Sequence, residues 1–261
     1  MELPLSRIVT PQLLWLERVG STNAHLSHLN KIDVIPDKSV VATDNQVSGR
    51  GRLDRSWVTP PHTSLAVSAL RCRIAPSLRS LVPLVTGSAL AATLRPLVPR
   101  SQVSVKWPND VQIDGLKVAG ILCEVGPNDT IIIGTGINLT MSAEELPTAT
   151  ATSLRLQGAR SVDIDTILAH YLTELFARTD ALLSEREDTD SPPQQTLVTL
   201  RQDSATLGQH VIVHLPDGRK PVGLARDIDN TGRLVVEVSG ESSPLIVSAG
   251  DVVHLRAVDN H

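Results

Sequence analysis

From Ser77 to Val98 apolar residues recur at helical spacing, with Pro83 near the start of the run and Pro96 near its end. A helix that apolar needs a surface to cover it. The neighbouring segments supply one: Leu13 to Val19, Val40 to Thr43, Ser64 to Leu70, Val103 to Val111, Val118 to Val125 and Thr130 to Ile133 are short and β-rich. The Ile113-Asp114-Gly115 turn joins the fourth and fifth as a hairpin. Gly20-Ser21-Thr22-Asn23 opens a shorter helical pattern through Leu26 and Leu29, with Ser21 or Thr22 as N-cap, and a long helical period runs from Asp163 to Leu183. The expected class is α+β, a mixed and largely antiparallel sheet with helices packed on one side.

The texture changes near Gly208. Val211 to His214, Leu234 to Val238, Leu245 to Val247 and Val252 to Leu255 are short strands set close together, with Gly and Asn between them, the pattern of a small β-barrel. Residues 1–207 are therefore expected to form one domain and 208–261 a second. Ser184 to Gln195, acidic, polar and holding Pro192-Pro193, reads as a linker or surface turn.

A net charge of -4 argues against a general nucleic-acid binder. Cys72 and Cys123 form no C-x-x-C pair, so neither a disulfide framework nor a zinc pattern is present, and a reducing cytoplasm fits. Cys123 reads as a small buried hydrophobe. Met-Glu-Leu-Pro-Leu lacks the basic start of a signal peptide, and no later apolar run is expected to span a membrane. His25 and His28 share a helix face but have no third ligand, so they read as solvated. Aromatic residues make up only 2% of the chain, which leaves an aliphatic core and frees Trp57 and Trp107 for ligands.

Against that acidic balance, Gln46-Val-Ser-Gly-Arg-Gly-Arg-Leu-Asp-Arg-Ser-Trp57 places Arg50, Arg52 and Arg55 between glycines. A basic loop is commonly just solvated, but glycines admit close backbone approach and guanidiniums match phosphate or carboxylate oxygens, so this one points to an anionic small molecule. Gly49-x-Gly51 lacks the third glycine of a dinucleotide fingerprint, and no P-loop occurs. Lys106-Trp107-Pro108-Asn109-Asp110 puts a lysine inside an apolar strand and a proline after it, an odd choice for a purely structural strand. Gly120 permits backbone contact with a ligand, and Gly134-Thr-Gly-Ile-Asn138 leaves a polar amide at a strand end.

Ser21-Thr22-Asn23, the arginine motif ending in Trp57, Lys106 to Asp110, Lys117-x-x-Gly-Ile-Leu-x-Glu124 and Gly134 to Asn138 follow one another in an order that resembles the biotin protein ligase family. The resemblance is to the short form, since too few residues precede the first strand for a DNA-binding domain. It implies a class II synthetase-like catalytic domain followed by an SH3-like one. It further implies biotin and Mg²⁺-ATP as reactants, and transfer of the biotinyl group to a lysine on the biotin carboxyl carrier domain of a carboxylase.

By that resemblance Ser21, Thr22, Asn23, Gln46, Gly49, Arg50, Lys106 and Gly120 are expected to bind biotin. Arg52, Arg55, Trp57, Lys106, Asn109 and Asn138 are expected to bind ATP or the adenylate, with Lys106 and Arg52 as the catalytic cations. Asn109 or Asp110 is placed to orient phosphate or Mg²⁺, and no metal ligand is assigned. Leu53-Asp54 fills the variable pair of the arginine motif, where Asp54 has arginines to pair with. The loop 46–57 is expected to be mobile without ligand. Neither DNA nor membrane is expected as a partner, and self-association is left open. A lipoyl or octanoyl transferase of related fold, or a non-catalytic biotin sensor, are the alternatives.

Overall fold

The computed structural model describes residues 1–52, 55–57, 59–184, 194–215, 217–248 and 250–255. In chain order the helices are α1 (Pro4–Arg7), α2 (Thr22–Ile32), α3 (Val82–Leu94), α4 (Ile164–Ser184) and α5 (Gln194–Asp203). The strands are β1 (Leu13–Trp15), β2 (Val40–Thr43), β3 (Gly49–Arg50), β4 (Ser56–Trp57), β5 (Ser64–Arg71), β6 (Val103–Lys106), β7 (Asp110–Ile113), β8 (Leu116–Val125), β9 (Ile131–Asn138), β10 (His210–His214), β11 (Val222–Ile228), β12 (Leu234–Val238), β13 (Leu245–Val247) and β14 (Asp251–His254). Seven of them form a mixed sheet in the order β1-β2-β5-β9-β8-β7-β6, parallel only between β1 and β2.

Helices cover both faces of this sheet rather than one. Val41 and Leu70 pack with Leu26 of α2, whereas Val40, Ala42 and Ala69 point the other way, into the core beneath α3 and α4. Burial on both faces leaves all eight residues of β5 inaccessible, so that strand turns no face to solvent. The segment 76–97 is as long and apolar as a membrane-crossing helix, contrary to expectation. It is instead broken by a 3-10 turn at each end, and eleven of the thirteen residues of α3 are buried in this core.

Two further expectations change. Val103 to Val111 is two antiparallel strands, β6 and β7, in which Lys106 pairs with Asp110 and Trp107-Pro108-Asn109 makes the reversal. The proline therefore turns the chain instead of interrupting a ladder. Gly134 and Gly136 lie within β9, which continues past them to Asn138. The Asp114-Gly115 turn holds as read, with both residues at positive φ, as a tight hairpin turn requires. Most of the expected linker 184–195 lies outside the described residues, while α5, which carried no clear signal, closes the far side of α3.

The C-terminal strands form a five-stranded antiparallel sheet, β13-β12-β11-β10-β14, as an SH3-like unit would; among the described residues β13 and β14 do not pair with each other. Its inward residues, among them Val211, Val213, Leu234 and Val236, belong to the same apolar cluster as the first sheet. Trp107 makes the join. It is 3% exposed, its indole N–H donates to Gly232 O at 3.0 Å, and its backbone N–H donates to Thr206 Oγ1 at 3.0 Å. Although held in this way, Trp107 also lines a second cavity together with Arg52, Asn109 and Gly232. Burial also pushes the Cys123 thiol up to about 12, in keeping with an inert hydrophobe.

Candidate functional site

One register row crosses the middle of the main sheet on the α2 face: Thr43, Ala66, Gly136, Gly120, Asp110 and Lys106 stand opposite one another on successive strands. Its centre is Ala, Gly, Gly. Where side chains would normally fill that face the sheet is bare, and a cavity of about 130 Å³ lies there, between the amino end of α2 and the β3–β4 hairpin.

The hairpin is held over this floor by its own residues. Gly49 faces Trp57 across the pair, and a β-carbon at Gly49 would come within 2.5 Å of Gln46 Nε2, so no larger residue fits. The indole of Trp57 reaches across Gly120 and Gly136, with the Lys117 ammonium 5.5 Å from the ring centre. Its Nε1 is buried with no hydrogen-bond partner among the described residues. A buried donor without a partner is costly unless a ligand acceptor completes it. Leu53-Asp54 lies outside the described residues.

At the amino end of α2, Ser21 caps the helix by accepting from Ala24 N at 3.4 Å. Thr22 and Asn23 are buried and belong to one polar network. Thr22 N and Oγ1 donate to Gln46 Oε1 at 2.9 and 3.1 Å, Ser68 Oγ donates to Asn23 Oδ1 at 2.6 Å, and Asn23 Nδ2 donates to Glu124 Oε2 at 2.6 Å. The glycine at position 134 makes room for Asn23, whose Oδ1 would stand 2.3 Å from a β-carbon there. Such a rigid array of amide and hydroxyl groups suits an uncharged polar head group.

Four cations at the cavity are each paired with a carboxylate of the protein. Arg50 meets Glu124 at 3.0 Å, Lys117 meets Asp110 at 2.7 Å, and Arg55 is paired with Asp251, which also lies 3.8 Å from Arg52. Arg52 is further fixed by Asn109 Oδ1 and by Gly250 O, both at 3.3 Å. Each of these cations is thus already matched by a carboxylate of the protein.

Of the residues singled out from sequence, Ser21, Thr22, Asn23, Gln46, Arg50, Arg52, Arg55, Trp57, Asn109 and Gly120 line this cavity. Gly49, Lys106 and Asn138 do not. Gly49 shapes the hairpin. Lys106 ends the floor row, half-buried, and desolvation lowers its pKa although Asp110 and Asp251 pull the other way. Asn138 is buried at the end of β9, donating to Thr152 O at 2.9 Å, while its Oδ1 has no partner among the described residues.

One lining residue lay outside the expected site, whereas Lys117, from the same sequence motif as Gly120, lines the cavity as well. Asp251 belongs to the C-terminal sheet, and nothing local in the sequence ties it to the arginine loop. Lys117 reaches the cavity because a β-bulge shifts the β7–β8 register between Val111 and Gln112, which turns this side chain onto the same face as Gly120. Among the described residues no group of three or more His, Cys, Asp or Glu is placed to hold a metal by itself.

The sequence model of the Biotin/lipoate A/B protein ligase family matches residues 15–138, and that of the Biotin protein ligase C terminal domain matches residues 206–255. The chain is 37% identical over 249 residues to the Biotin--[acetyl-CoA-carboxylase] ligase of Mycobacterium tuberculosis, spanning 94% of this chain and 90% of that protein. It is 30% identical over 250 residues to the Bifunctional ligase/repressor BirA of Escherichia coli, spanning 92% and 73%. Among solved structures, the biotin protein ligase from Aquifex aeolicus in complex with biotin and ATP matches at a TM-score of 0.75 and 25% identity, over 94% of this chain and 99% of that one.

Proposed function

This chain belongs to the biotin/lipoate A/B protein ligase family, and from that premise we propose that it activates biotin with ATP and passes the biotinyl group to a lysine of a carboxylase carrier domain. In the first step a biotin carboxylate oxygen attacks the α-phosphorus of ATP. The bond from that phosphorus to the α,β-bridging oxygen breaks, and pyrophosphate leaves. In the second, the neutral amine of the carrier lysine attacks the acyl carbon, the bond to AMP breaks, and AMP departs with the electron pair while the amine gives up a proton.

We assign residues 1–207 to this catalysis, with the sheet of 208–261 closing the phosphate side. Thr22, Asn23, Gln46 and the Gly120 floor receive the ureido head, with Ser21 capping the helix that carries them and Gly49 shaping the hairpin above. Arg50 and Lys117 face the carboxylate end. Arg52 and Arg55 face the triphosphate, where donors already in position lower the barrier as charge builds on phosphate oxygens. Lys106, half-buried at the end of the floor row, adds positive potential rather than contact. Trp57 N–H is left for a ligand oxygen, and Asn138 Oδ1 for the nucleotide.

Mg²⁺ would arrive with ATP, and the donors present fit that mode. Such an ion is usually held by one or two carboxylates plus phosphates, and Asp110 faces the cavity beside Asn109. Bound there, it would neutralise charge on the phosphates. The two free thiols, Cys72 and Cys123, support assignment to a reducing cytoplasm.

The observation that carries this reading is the Ala66-Gly136-Gly120 floor, which brings no large side chain of its own, with a polar network at one end and four paired cations around it. Biotin-dependent exchange of labelled pyrophosphate into ATP tests it. A site built from such buried polar groups should reject lipoate by about 10⁴-fold. Exchange driven by lipoate or octanoate would favour the related transferase chemistry, and biotin binding without exchange would favour a sensor.

A further inference from the structure

We propose that Asp251 is a positioning residue for the ATP half-reaction: from the C-terminal sheet it holds Arg52 and Arg55 at the cavity until phosphate oxygens replace its carboxylate. The inference rests on the ligase reading and extends it to a residue far away in sequence.

Three observations carry it. Asp251 lines the cavity although it lies 196 residues from Arg55. It is also the only side-chain partner of Arg55 among the described residues, while that arginine is otherwise 66% exposed. A long cation in water gains little from a single exposed ion pair, but Asp251 is only 23% exposed and is fixed in β14, where it pairs with His214. Arg52, finally, is drawn to the same place, 3.8 Å from the Asp251 carboxylate and bonded to the carbonyl of Gly250 just before it. The C-terminal sheet thus meets both phosphate-facing arginines at one short stretch.

A carboxylate and a phosphate present oxygens to guanidinium in similar geometry, so the first can hold the side chains where the second will need them. Ordering two arginines before ATP arrives removes that cost from the binding step. The carboxylate must then give way, as its partial exposure allows.

The test uses the full chain with Asp251→Asn and Asp251→Glu. In pyrophosphate exchange, D251N should raise KM for ATP about tenfold, the scale of two long side chains ordered during binding rather than before it. KM for biotin should move much less. D251E, which keeps the carboxylate, should recover most of the loss. Arg55→Gln should raise KM for ATP by a smaller factor in the D251N background than in the wild type, because there the phosphate contact it removes had to be ordered during binding. Without ligand, trypsin should cut after Arg52 and Arg55 several-fold faster in D251N than in the wild type, at equal thermal stability.

A KM for ATP that is unchanged or lower in D251N, equal shifts for both substrates, additive effects with R55Q, or unchanged trypsin rates would each overturn the proposal. Absence of exchange in the wild type would instead refute the ligase reading, and the trypsin comparison would still decide the role of Asp251.

Discussion

The indole of Trp57 lies on Gly136 so closely that a β-carbon at that glycine would stand 2.5 Å from the ring. Gly136 is paired on both sides, with Ala66 and with Gly120, so its backbone has no freedom to withdraw. Gly136→Ala therefore has to displace the ring and the hairpin that carries it. A misplacement of that kind costs about 10²-fold in turnover, and that loss is expected in pyrophosphate exchange, with far-UV circular dichroism unchanged.

The two lysines separate in the same way. Lys117→Ala removes a cation from the cavity itself and should lower exchange by about 10²–10³, the usual loss for one donor aimed at developing charge. Lys106→Ala removes a half-buried charge at the end of the floor row, and its loss should be at least tenfold smaller than that of Lys117→Ala. Single-turnover formation of the adenylate by both variants measures the difference.

How the sequence reads is uneven, and the reasons are physical. The arginine loop, the α2 cap and the Lys106 to Asp110 segment carry residue types whose chemistry is local, and they converge on one cavity much as their spacing suggests. Lys117 against Lys106 could not be decided that way, because the choice depends on a one-residue bulge that turns a side chain through the sheet. Gly134 and Gly136 resemble a strand end in sequence; only the ladder with β5 and β8 shows them to be a floor. Asp251 and the Trp107 to Gly232 contact are made across the chain by topology, and no local pattern marks them.

Arg71 offers a test of the fold apart from the site. Its side chain is fully buried, 2.8 Å from Asp180 on α4 and 3.6 Å from Asp37, while both carboxylates keep contact with water. Removing the carboxylate strands a buried charge, whereas removing the arginine leaves two acids that water can solvate. Asp180→Ala should therefore cost about 3 kcal/mol in urea unfolding, and Arg71→Met about 1 kcal/mol or less.

Acid stability should report His254. Burial, and then the charge of Lys106, lowers its pKa to about 4, while its Nε2 stands 3.1 Å from Thr206 Oγ1. The folded state thus binds a proton less readily than the unfolded chain, whose histidines titrate near the ordinary value of 6.5. The stability due to neutral His254 is complete above that value and is lost as pH falls from there toward about 4. His254→Gln should flatten urea-unfolding stability across that window, and an unchanged slope would remove His254 as the cause.

Whether this cavity makes an activated biotin for transfer to a carrier lysine is decided by intact-mass measurement of a biotin carboxyl carrier domain after incubation with the chain, biotin and Mg²⁺-ATP. The expected result is one added biotinyl group, lost when the acceptor lysine of the carrier is replaced by arginine or when ATP is omitted. An unmodified carrier, or one that gains a lipoyl or octanoyl group in place of biotin, would contradict it.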